Sequence, residues 1–158
     1  MRRRPFAPEL LRRILRAGAL LVLLLGARPA FAALGGDAAS IAADQKHLLA
    51  NARIVRAASY IMHELEAPTG TKVREYLDNA GKVFAVSWQG AFRPNLRQLL
   101  GSYYETFLAA ARVRPVRGPL NLSLPGLVIH MSGHQRGFYG RAYLTDGVPQ
   151  GLSLEEIR

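Results

Sequence analysis

The sequence predicts an α+β domain: an antiparallel sheet of about five strands with a long helix packed on one face, in the order αβββαββ. Three observations carry this expectation. From Ile54 to Trp88, apolar and polar residues alternate with period two, and two Gly-bearing turns cut the run, as in an antiparallel meander. From Leu96 to Leu108, apolar residues recur at helical spacing on one stripe. Beyond Pro125 the alternation returns in two segments around Gly133.

Each element has a local reason. Leu34-Gly35-Gly36 is a flexible start, and Asp37 is an N-cap for a helix running to about Ala52, with Ile41, Leu48 and Leu49 on its packing side. The meander reads as strands Ile54–Glu66, Thr71–Leu77 and Lys82–Trp88. Its turns are Pro68-Thr69-Gly70 and Asp78-Asn79-Ala80-Gly81. Pairing Glu64 with Lys72 sets Met62 against Arg74 and Tyr60 against Tyr76, a mixed and open face continued by Val83, Ala85 and Ser87. Ile61, Leu65, Val73, Leu77, Phe84, Val86 and Trp88 then form the core face. Pro94-Asn95 opens the second helix, which runs to about Arg112. Pro115, Gly118, Pro119 and Pro125 break the stretch from Val113 to Pro125 into a connection. Leu127–Ser132 and Arg136–Leu144 follow as a hairpin.

The first 32 residues read as an export leader. Arg2, Arg3, Arg4, Arg12, Arg13 and Arg16 form a basic n-region, followed by the apolar run Ala17–Gly26 and by Ala30-Phe31-Ala32, with small residues at the two positions a signal peptidase inspects. An apolar run this short falls well below the roughly 20 residues a membrane-spanning helix needs. The expectation is cleavage after Ala32, no stable membrane anchor afterwards, and a single periplasmic or secreted domain over 33–158.

Removing the leader changes the electrostatics. The chain has 21 Lys+Arg against 11 Asp+Glu, a net charge of +10. Seven arginines and Glu9 lie within 1–32, so 14 basic and 10 acidic residues remain, or +4. That is too little for a phosphate-gripping surface, and no nucleic-acid partner is expected. There are no cysteines, which excludes thiol catalysis, disulfides and a lipid-bearing cysteine.

Two sets of residues could carry function. His63 and Glu75 fall on the core face of neighbouring strands, and a half-buried histidine beside a carboxylate is the arrangement of a tuned general base. The same pair also serves as a self-satisfied polar contact at a sheet rim. Tyr60, Arg74 and Tyr76 on the open face, with Tyr139, Arg141 and Tyr143 on the last strand, present aromatics flanking arginines, a surface suited to flat ligands, sugars or a protein partner. Equally, tyrosines on a strand are ordinary β-propensity. His130 and His134 are four apart, but strand-like flanks deny them the helical geometry of a metal pair, and no metal or cofactor is expected. There is no GxSxG, SxxK, GxGxxG or GxxxxGK pattern, and His63-Glu64 fails as HExxH because position 67 is Ala.

Several stretches taken together resemble a known family: Leu34–Asp44, Gly70-Thr71-Lys72-Val73-Arg74-Glu75-Tyr76, Gly81-Lys82-Val83-Phe84-Ala85-Val86, Pro94–Gly101, and Gly133–Leu144. The chain is similar, over nearly all of 33–158, to the exported bacterial proteins grouped as domain-of-unknown-function family 2844. The resemblance implies export and one small domain, and brings no activity or site residue. The leading expectation is therefore a non-enzymatic exported domain that binds an envelope protein or glycan through an open sheet face. The alternative is a small hydrolase- or isomerase-type enzyme working through His63 and Glu75.

Overall fold

A computed structural model describes residues 34–113, 118–135 and 137–158; the expected leader over 1–32 and Arg136 lie outside them. The described residues form one compact unit. Its order is α1 (Ala38–Leu48), β1 (Asn51–Arg56), β2 (Ile61–Glu66), β3 (Lys72–Leu77), β4 (Val83–Gly90), α2 (Leu96–Leu100), α3 (Tyr104–Arg112), β5 (Leu120–Leu124), β6 (Leu127–His134) and β7 (Gly137–Leu144). All strands pair antiparallel in one seven-stranded sheet, ordered β1-β2-β3-β4-β7-β6-β5.

This corrects the expected fold in strand number, element order and helix. The described residues hold seven strands rather than about five, because Ala57–Tyr60 interrupts the first expected strand and turns it into the hairpin β1–β2. The other extra strand, β5, lies where prolines and glycines suggested a connection. The long helix is absent. Between Leu96 and Arg112 the chain makes a five-residue α2, a 3₁₀ turn over Gly101–Tyr103, and a nine-residue α3. Gly101 causes the break: at φ 51 it caps α2, its N–H donating to the Arg97 carbonyl.

Local chemistry sets the other boundaries. Asp37 caps α1 as expected, its carboxylate accepting from the N–H groups of Ala39 and Ser40 at 2.9 and 3.2 Å, while the Ser40 hydroxyl completes a capping box. The helix stops at Leu48 because Leu49 turns left-handed at φ 50, four residues before the expected end. Asn95 caps α2 by accepting from the Gln98 N–H.

The two sheet faces are closed differently. On the first face, Ile41 of α1, Leu99 and Leu100 of α2 and Phe107 of α3 pack on Leu65, Val73, Val86, Leu122, Ile129 and Ala142. On the second, Tyr76, Phe84, Ala85 and Tyr143 are covered by Ile157, which is fully buried. The β3–β4 register shifts between Tyr76 and Leu77, so that Tyr76 faces Ala85 and Leu77 faces Val83. Phe84 is the extra residue. The bulge sends Val83 to the first face and Phe84 beside Tyr76, exchanging the sides expected for them.

Candidate functional site

The β2–β3 register is offset by two residues from the expected one: Glu64 faces Arg74, and Met62 faces Tyr76. An even offset preserves side-chain faces, so the face of every candidate on these strands holds. It also brings His63 directly opposite Glu75 rather than diagonal to it.

That register match does not make a catalytic pair. Glu75 has no exposed surface, and its partner is Asp44 of α1, also fully buried. Asp44 Oδ2 and both Glu75 oxygens meet no donor among the described residues, so a proton on one carboxyl has to make the bond between them. Burial first, then the neighbouring Asp44 charge, push Glu75 up to about 9. At neutral pH Glu75 is therefore the protonated partner and donates to Asp44, which also accepts from the side-chain amide of Gln98 on α2. Burial raises Asp44 as well. The three residues tie α1, β3 and α2 together across the first core. His63 is half-buried, with burial and then Arg56 lowering its pKa. No hydrogen bond or ion pair joins it to Glu75 among the described residues.

The arginine and tyrosine candidates converge. Following the pairings from β1 to β5, one cross-strand row on the second face reads Arg53, Glu64, Arg74, Ser87, Arg141, His130, Asn121. The next row reads Val55, Met62, Tyr76, Ala85, Tyr143, Val128, Ser123. The two separately read surfaces, Tyr60/Arg74/Tyr76 and Tyr139/Arg141/Tyr143, are parts of one face.

Much of that face is occupied by the chain itself. Arg74 bonds Glu64 at 2.6 Å and donates through Nη1 to the Arg158 carbonyl at 2.5 Å. Arg141 Nη1 donates to the carbonyls of Leu154 at 2.5 Å and Ile157 at 3.4 Å. The Tyr76 hydroxyl meets the carbonyls of Glu156 and Arg158, and Tyr60 donates to the Glu156 carboxylate at 3.3 Å. Burial, then that carboxylate, raise the Tyr60 pKa. Sequence reasoning reads Leu154–Ile157 as a short terminal turn, which the 3₁₀ turn over Leu154–Glu156 matches, but gives no sign that this closing segment, Leu154 to Arg158, covers the second face through Ile157.

Two grooves flank the end of the segment, with Gln89 and Arg158 lining both. The first, about 530 Å³, is bounded by Trp88, Tyr139, Arg141, His130 and Asn121, and none of its lining residues is acidic. Tyr139 is 54% exposed there. His130 Nδ1 lies 2.9 Å from Asn121 Oδ1, and its ring stacks at 17° on Tyr143, which is itself buried. With the amide oxygen accepting, the Nδ1 tautomer is assigned. Burial first, then Arg141, lower the pKa of His130. The second groove, about 520 Å³, holds Arg53, Arg74 and Arg158 against Glu64 and Glu156, so most of its positive charge is compensated.

The described residues thus form a single antiparallel sheet, closed by short helices on one face and by its own closing segment on the other, with a basic aromatic groove left open. No group of residues suited to a metal ion occurs among them, and no described helix is long and apolar enough to cross a membrane. The chain belongs to the protein family of unknown function DUF2844, whose model matches residues 30–157. No match was found among curated proteins or among solved structures.

Proposed function

We propose that this protein is an exported, non-enzymatic binding domain that engages a cell-envelope component through the second face of its sheet. The observation that carries the reading is the groove beside the closing segment, where Arg141, His130 and an exposed Tyr139 converge and no lining residue has an acidic side chain. Its volume falls within the roughly 300–1,000 Å³ range of small-ligand sites, and its mixture of aromatic and sparse polar groups is typical of them. Export is supported by the basic n-region, the short apolar run and Ala30-Phe31-Ala32.

The test has two parts. Fractionating the native host should recover a chain starting near Ala33 outside the cytosol; unprocessed cytosolic chain would refute export. Co-sedimentation with isolated envelope should retain the wild-type protein and lose Arg141→Ala and Tyr139→Ala. Retention unchanged in both variants would refute the binding face.

A further inference from the structure

The first groove has a charge pattern that selects among ligands. Arg141 carries five N–H donors, and its only acceptors among the described residues are two backbone carbonyls, both served by Nη1. Arg74, in contrast, is neutralised by Glu64 in the adjoining groove. Nε and Nη2 of Arg141 therefore form an unused edge with the fork geometry that holds a carboxylate in two parallel hydrogen bonds. Beside it stand the exposed Tyr139, the amide of Gln89 and the hydroxyl of Ser132. An aromatic face offers apolar contact to the C–H side of a ring, while amide and hydroxyl groups match ring hydroxyls. The groove lies on the sheet face between the closing segment and β6–β7, so an extended peptide would gain no strand pairing there.

Resting on the proposed binding face, we infer that this groove is a binding site for a carboxylate-bearing saccharide, with Arg141 holding the uronic acid group and Tyr139 the sugar ring. Removing the ligand's charge without changing its shape should weaken binding as much as removing Tyr139.

Calorimetric titration of the protein, expressed from Met1 and used in the form the cell yields, tests this at about 150 mM salt, where exposed long-range charge effects are screened. The probes are cellobiouronic acid, its methyl ester, cellobiose and triglutamate. The acid should bind at least about tenfold tighter than the other three, a difference of about 1.4 kcal/mol. Arg141→Lys should cost about tenfold or more for the acid alone, whereas Tyr139→Ala should cost about tenfold or more for the acid and weaken the ester and cellobiose as well. Because Arg141 also holds the closing segment, Tyr139→Ala keeps the test decisive if the Arg141 variant is poorly folded. Equal binding of acid and ester, tighter binding of triglutamate, or no binding at all would overturn the inference. If Tyr139→Ala still reduces envelope retention while acid and ester bind alike, the binding face stands and the ligand chemistry fails.

Discussion

At the residue scale, the buried carboxyl pair gives the protein a defined pH response. Glu75 ionises near 4.5 in the unfolded chain but is pushed up to about 9 in the folded one. A group raised in this way contributes stability that is complete below the unfolded value and is lost as pH climbs to the folded value. Unfolding free energy, measured by urea titration between pH 5 and 9, should therefore fall by roughly 1 kcal/mol per pH unit. Glu75→Gln, which imitates the protonated side chain, should flatten that slope; an unchanged slope would mean that Glu75 is ionised in the core. Part of this site was legible in the sequence. Alternation placed His63 and Glu75 on the core face, but Glu75's true partner lies 31 positions upstream on a helix, a separation no local pattern reports. Asp44 follows Ile41 by three residues, on the packing side of α1, and that spacing was the one available hint.

At the element scale, boundaries were readable where a cap or turn acts locally and were lost where one residue overrides a pattern. Asp37 and Asn95 start their helices through their own side chains. Gly101 splits the expected long helix through its left-handed backbone, although the apolar stripe passes through it unbroken. β5 carried a strand signal, Leu120, Leu122 and Leu124 alternating with Asn121 and Ser123, that the surrounding prolines masked. Two substitutions test these accounts. Leu49 ends α1 at φ 50 with most of its side chain exposed, so Leu49→Gly should raise stability by up to about 1 kcal/mol in denaturant unfolding. At Gly140, a Cβ would lie 2.4 Å from Trp88 Cζ2 and 2.8 Å from the His130 carbonyl. Gly140→Ala should accordingly cost about 1–3 kcal/mol and disturb the tryptophan fluorescence.

At the scale of the whole molecule, no helix among the described residues covers the second face of the sheet, and the closing segment substitutes for one. Ile157 seals Tyr76, Phe84, Ala85 and Tyr143, while Arg74, Tyr76 and Arg141 hold the backbone carbonyls around it. Ile157→Ala should cost about 2–5 kcal/mol, the range for a fully buried isoleucine, and should increase binding of a hydrophobic dye. Cross-strand rows explain why two surfaces chosen separately from the sequence meet: Ser87 links Arg74 to Arg141 once β4 pairs with β7, a junction between strands 54 residues apart that turn signals could not foretell. The most direct test of the binding face is amide chemical-shift mapping of the protein titrated with solubilised envelope glycan. Shifts concentrated at Gln89, His130, Tyr139 and Arg141 are the expected result. Shifts confined to the helix-covered first face, or none at saturating glycan, would contradict it.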